Sequence, residues 1–180
     1  RVVEVTPIDQ APDPESRVEP GEQGEIIARG PGMAAGYIDN PAAERKSFFD
    51  GWLRTRDVAT VDEDGFLYVV GRVDGMFQSG GENIYPVQVE HALEEHDRVR
   101  EAFVYGRADD YWGRVVSALV VVDDTDGVTE DGLDSFCRQE TTLADYTRPR
   151  SYTIRAEEVP LPRTSTGKIR REAALESVTE

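Results

Sequence analysis

Lys168 closes the run Pro162-Arg163-Thr164-Ser165-Thr166-Gly167-Lys168, and with Lys46 it is one of only two lysines in a chain that otherwise uses arginine for its cations. A compact ammonium with three donors can neutralise charge that develops on oxygen in a group-transfer reaction. The plainer use of the position is a lysine that opens a helix with no further task, although a cation there opposes the helix dipole. Asp57 ends Trp52-Leu53-Arg54-Thr55-Arg56-Asp57, where a carboxylate beside a strand can accept two hydrogen bonds from a diol or simply occupy a surface turn. Arg72, in Gly71-Arg72-Val73-Asp74, offers a planar cation to hydroxyl or phosphate oxygens, or an ordinary surface ion pair. In Ser79-Gly80-Gly81-Glu82-Asn83 two adjacent glycines let the backbone approach a ligand closely, or make a tight turn.

These residues need elements to hold them. Short apolar or alternating runs at Glu25 to Arg29, Val58 to Val61 and Phe66 to Val70, bounded by Gly, Pro and Asp, read as strands, the last two joined as a hairpin through Asp62-Glu63-Asp64-Gly65. Asn40 and Pro41 suit the start of a short helix to Phe49. Val89, Ala92, Leu93 and His96 recur at helical spacing after Pro86, which predicts a helix over Pro86 to His96. Val99 to Tyr105 and Val115 to Val122 read as strands, the second apolar enough to be buried on both faces. Thr129 can cap a helix with Leu133, Phe136 and Cys137 on one side, and a strand follows near Ser151 to Arg155. A final helix is expected to begin near Lys168 and to bury the Arg171 stem, Ala174, Leu175 and Val178. The second unit thus reads β-hairpin, α, β, β, α, β, α, a small sheet under covering helices.

Thirty-six acidic against 20 basic side chains give a net charge of −16, which opposes nucleic acid and anionic membrane surfaces as partners. A single cysteine, Cys137, excludes an internal disulfide, and with two histidines it leaves no zinc-ligand spacing. A metal-free, cytoplasmic protein is the expectation, since no apolar run approaches the roughly 18 residues of a membrane span and Arg1-Val2-Val3-Glu4-Val5 lacks the core of a signal peptide. Opening in a strand without methionine, the chain is expected to be part of a longer protein. Gly167-Lys168-Ile169 lacks the preceding glycine and the following Ser/Thr of a P-loop. Paired carboxylates for glycoside hydrolysis have no specific support in so acidic a chain.

In order, spacing and wording, these segments, preceded by Gly24-Glu25-Ile26 through Gly36-Tyr37, resemble the C-terminal motifs of the AMP-forming superfamily that includes acyl-CoA synthetases, firefly luciferase and adenylation domains of nonribosomal peptide synthetases. The resemblance covers nearly the whole chain. It implies an α+β fold: residues 1–71 as the last β-subdomain of a large N-terminal adenylation domain, incomplete here, and 72–180 as a mobile, small mixed α/β C-terminal domain with a compact sheet and covering helices. It further implies that Lys168 is catalytic, that Asp57 and Arg72 bind nucleotide, that Asp74 is the hinge, and that Gly80 and Gly81 line the channel for the CoA pantetheine. Glu90 matches a recurring acidic position, or is an exposed helix residue.

The implied reaction joins a carboxylic acid to CoA through acyl-AMP, with Mg-ATP and CoA as substrates, no tightly bound cofactor, and the missing N-terminal domain as partner; alone, the chain would be inactive. Arg56 stands where the family commonly has glycine, and Gly75 where it usually has an acidic residue. Ser79-Gly80-Gly81-Glu82-Asn83-Ile84-Tyr85-Pro86 looks more like acyl-CoA or aryl-CoA synthetases than peptide synthetase domains. A free-standing binding or regulatory module, and an adenylation domain serving a carrier protein, are the alternatives.

Overall fold

The computed structural model describes residues 1–7, 9–156 and 160–179. The chain forms two compact units, Arg1–Met76 and Phe77–Glu180.

Unit 1 is an antiparallel sheet of β1 (Val2–Val3), β2 (Gly24–Ala28), β3 (Phe48–Phe49), β4 (Trp52–Val61) and β5 (Leu67–Arg72). The ten-residue β4 organises it. β2 pairs along one edge of β4, while β3 pairs at Trp52 and Leu53 and β5 from Asp57 to Val61. The register shifts at Glu25/Ile27 and at Val58/Ala59, and such bulges re-aim side chains where a strand carries function. Helix α1 (Pro41–Ser47) starts as the sequence indicates, with Asn40 Oδ1 accepting from the Ala43 N–H at 3.0 Å and Pro41 in the first turn. Val3, Ile27 and Trp52 form a small core.

A buried ion pair reinforces that core. Glu25 is fully buried and Arg54 nearly so; Arg54 Nε donates to Glu25 Oε1 at 2.7 Å and Nη2 to Oε2 at 2.8 Å. The guanidinium also donates to the carbonyls of Thr6 and Gln10 at 3.0 and 2.9 Å. Arg54 thereby ties the strand leading to Asp57 to β2 and to the N-terminal segment, with its charge and donors satisfied.

Unit 2 opens with the hairpin β6 (Phe77–Ser79) and β7 (Glu82–Ile84), followed by α2 (Pro86–Glu94), β8 (Val99–Asp109), β9 (Gly113–Val122), α3 (Glu130–Gln139), β10 (Ser151–Ala156) and α4 (Arg171–Thr179). β9 is the central strand, antiparallel to β8 and parallel to β10. Its alternation explains its apolar run: Val116, Ala118, Val120 and Val122 pack with Val89 and Leu93 of α2 and Leu133 and Cys137 of α3. Leu119 and Val121 face the other way, with Phe103, Leu161 and Ala174. Both faces of the sheet are thus buried, and each of the buried Val, Leu and Phe side chains contributes ~1.5–3 kcal/mol.

Two expectations for the last helix change. The last helix begins at Arg171 rather than near Lys168, because residues 163–169 fold into a turn closed by a bridge between Arg163 and Ile169. Leu175 is 40% exposed instead of buried, while Ala174 is fully buried and Val178 packs at the core edge.

Candidate functional site

The residues singled out by type and spacing fall into three places. The first lies in unit 1, where β4 and β5 pair Asp57 with Arg72. Arg72 Nη1 donates to Asp57 Oδ1 at 2.5 Å and Nη2 to Asp74 Oδ2 at 3.3 Å. Arg56 Nη1 reaches Asp74 Oδ1 at 3.2 Å. Asp74, in the 3-10 turn Val73–Gly75, is therefore held by two guanidinium groups, one on each oxygen. Thr55 fixes the approach: its hydroxyl donates to Ile26 O at 2.8 Å and accepts from the Asp57 N–H at 3.1 Å. Arg56 has φ +62°, a left-handed conformation that costs most side chains about 1–2 kcal/mol, which is the physical reason a glycine suits this position.

Beside this network is a cleft of about 400 Å³ whose walls include Tyr37, Lys46, Thr55, Arg56 and Arg72. Four cationic side chains line it, Lys46, Arg54, Arg56 and Arg72, a lining that suits an anionic ligand. Lys46, unassigned by sequence reasoning, joins the site because α1 carries it in its last turn; its rarity in the chain was the available signal.

The second place is the β6–β7 turn. Gly80 and Gly81 have φ +59° and +91°, and the Gly80 N–H donates to Trp112 O at 3.1 Å. A Cβ on Gly80 would lie 2.5 Å from Trp112 Cε3, so the indole itself demands glycine. Trp112 is in turn packed edge-on by Tyr111 and faced by the Arg150 guanidinium, 5.7 Å from its ring centre. Sequence reasoning missed this tryptophan, which sits in the turn between two strands that it read as shorter.

The third place is the turn bearing Lys168. Thr164 N–H donates to Lys168 O at 2.8 Å, Gly167 N–H to Thr164 O at 3.0 Å, and Lys168 N–H to Thr164 Oγ1 at 3.2 Å. Gly167 makes the reversal with φ +86°. Arg163 is bound to Glu101 and to Gly167 O, and Arg171 to Glu90, whereas among the described residues the exposed Lys168 has no ion-pair partner. Glu90 is not an exposed helix residue: it is 7% exposed, and its Oε1 accepts from the Val104 N–H at 2.9 Å.

Elsewhere in unit 2, a cleft of about 270 Å³ includes Glu130, Asp134, Arg138, Arg148 and Tyr152, with Asp134 paired to both Arg138 and Arg148. Behind it Cys137 is buried, its thiol pushed up by burial, and Tyr152, hydrogen-bonded to it, is pushed up for the same reason. Among the described residues no cluster of His, Cys, Asp and Glu could hold a metal ion, and no helix is long and apolar enough to cross a membrane.

The model of the AMP-binding enzyme C-terminal domain family matches residues 88–168, from α2 to Lys168. Residues 88–168 thus match a domain of AMP-binding enzymes, and the relatives that the chain resembles are CoA ligases. It is 42% identical over 156 residues to the 2-succinylbenzoate–CoA ligase of Listeria monocytogenes, covering 87% of this chain and 32% of the relative. It is also 42% identical over 161 residues to the long-chain-fatty-acid–CoA ligase of Bacillus subtilis, covering 89% and 28%. Among solved structures, the o-succinylbenzoate CoA synthetase of Bacillus subtilis with its acyl-adenylate intermediate superposes with TM-score 0.77 at 37% identity, over 89% of this chain and 32% of that one. The same enzyme has been solved with ATP and magnesium ion. The chain thus spans about a third of the length of the relatives it matches.

Proposed function

We propose that the chain is the C-terminal part of an AMP-forming acyl-CoA ligase. In that reading the carboxylate of the acid attacks the α-phosphorus of ATP, pyrophosphate leaves, and the CoA sulfur then attacks the acyl carbon and expels AMP. The carrying observation is Lys168: an exposed ammonium on a backbone-bonded turn, with Arg163 and Arg171 before and after it already engaged by Glu101 and Glu90. Such a group can stabilise negative charge growing on the attacking carboxylate and the α-phosphate oxygens without first breaking an ion pair. Asp57 accepts the ribose hydroxyls, and Arg72, bound to its Oδ1, orients that carboxylate and faces the cleft with Lys46 and Arg56.

Residues 1–71 act with the domain that binds acid and ATP, and 72–180 as the mobile domain, with Asp74 as hinge and Gly75 supplying backbone freedom. Gly81, with open space where a Cβ would stand, and Gly80, covered by the Trp112 indole, line the path of the pantetheine thiol in the second step. Equal identity to ligases named for an aromatic diacid and for long-chain fatty acids leaves the acid open, so the substrate class is a carboxylic acid. The 180 residues alone are inactive in this reading.

The test is pyrophosphate release, then thioester formation, by the complete ligase that contains this chain, with 2-succinylbenzoate and short-, medium- and long-chain fatty acids. Acid-dependent pyrophosphate release followed by a CoA thioester supports the assignment; ATP left intact with every acid refutes it.

A further inference from the structure

Arg171 stands three residues past Lys168 at the first position of α4. Its guanidinium grips Glu90 with both arms, Nη2 to Oε1 at 2.9 Å and Nη1 to Oε2 at 3.3 Å, and Nη2 also donates to Val104 O at 2.7 Å. Glu90 Oε1 in turn accepts from the Val104 N–H at 2.9 Å. One carboxylate on α2 and the Val104 carbonyl of β8 therefore hold one arginine, whose guanidinium carbon lies 4.9 Å from the Phe103 ring centre. The Glu90 side chain is 9% exposed and that of Arg171 38%, so the carboxylate end is buried while the guanidinium is partly solvated, and its three hydrogen bonds rather than burial fix the arginine.

Between this anchor and Lys168 the chain has little slack. Ile169 packs against the core beneath α4, the Arg170 N–H donates to Pro162 O at 2.8 Å, and Lys168 O accepts from Thr164 at 2.8 Å. The turn is thus a stiff hairpin, and what fixes its base to the sheet fixes the lysine at its tip. The other anchor, Arg163 on Glu101, engages one oxygen and leaves Glu101 Oε2 buried with no hydrogen-bond partner among the described residues, so it holds with less directional constraint.

We propose that Arg171, locked by Glu90, is the positioning residue that sets the Lys168 ammonium in place for the first half-reaction. The proposal rests on the ligase reading above and assigns to the Glu90–Arg171 pair a role beyond holding α4. Lysine at 171 keeps the charge but loses the two-armed grip and the simultaneous bond to Val104 O; the hairpin base shifts, and the tip with it. A displacement of about 1 Å at a reacting group costs on the order of 100-fold in rate.

The experiment compares Arg171→Lys, Glu90→Gln and Lys168→Ala in the complete ligase with an acid that it activates. The two half-reactions are measured apart, as pyrophosphate release and as thioester formation from supplied acyl-adenylate. In the 180-residue chain, amide exchange is followed at Gly167, Lys168 and Arg170, with Val120 as the core reference. Arg171→Lys is expected to lower pyrophosphate release by roughly 10–100-fold with ATP KM nearly unchanged and thioester formation spared. Exchange at the three turn amides should rise at least about tenfold while Val120 holds, and Glu90→Gln should follow in the same direction.

Loss of both half-reactions with faster exchange at Val120 would make the pair a determinant of the fold and overturn the proposal. So would wild-type pyrophosphate release in Arg171→Lys while Lys168→Ala loses it, with the ligase reading left standing. If Lys168→Ala itself releases pyrophosphate at the wild-type rate, the role of Lys168 falls and this proposal with it; the ligase reading fails only if the wild-type enzyme releases none with any acid.

Discussion

Replacing Glu25 by glutamine removes one charge from the fully buried pair and leaves the Arg54 guanidinium, with a side chain only 2% exposed, without its counter-ion. The amide oxygen can still accept one of the two bonds now made at 2.7 and 2.8 Å, and the carbonyls of Thr6 and Gln10 remain. The loss is therefore the charge itself, and breaking one side of such a buried pair costs ~3–5 kcal/mol. With a urea dependence of roughly 1–3 kcal/mol per molar, the midpoint of unit 1 should fall by about 2 M. The assay is urea unfolding followed by Trp52 fluorescence in a Trp112→Phe background, so that unit 1 alone reports. Removing both partners, as Glu25→Leu with Arg54→Met, should cost less than Glu25→Gln, because no buried charge is left over. A single-variant cost below about 1 kcal/mol, or a double variant worse than the single, would refute this account of how β4 is held.

Three further outcomes follow from local geometry. Gly80→Ala places a Cβ 2.5 Å from Trp112 Cε3 and should slow thioester formation by about tenfold or more while sparing pyrophosphate release; adding Trp112→Ala should restore part of the rate. Cys137, buried and with its thiol raised above the ordinary value of 9.0 by burial, should react with a thiol reagent at pH 8 only on unfolding. Because the folded value is the raised one, this thiol's stabilising contribution is complete below that ordinary value and is lost as pH rises through the folded value, which pH-dependent unfolding would register. At Arg56, φ +62° tolerates glycine but not a β-branched residue, so Arg56→Val should be at least about 1 kcal/mol less stable than Arg56→Gly in thermal unfolding.

What the sequence made legible was whatever depends on local periodicity and capping. Asn40 and Thr129 cap the helices they were expected to cap, and the run from Val115 to Val122 is a strand buried on both faces because its neighbours lie on both sides. Asp57 and Arg72 were readable individually, and hairpin register brings them together.

The rest depends on contacts between distant residues. Glu90 looks like any helix carboxylate until Arg171, 81 residues on, closes over it. Trp112 gains meaning only when the strand turn carries it over Gly80. The start of α4 was misplaced because Gly167 and the bonds between Thr164 and Lys168 make a turn where helical periodicity alone continues the helix.

The central claim is that Lys168 stabilises the charge formed as acid and ATP react. In the complete ligase, with an acid that supports pyrophosphate release, Lys168→Ala should reduce that release by roughly 100-fold or more, yet convert supplied acyl-adenylate and CoA to thioester at close to the wild-type rate. Wild-type pyrophosphate release from the Lys168→Ala enzyme would contradict it.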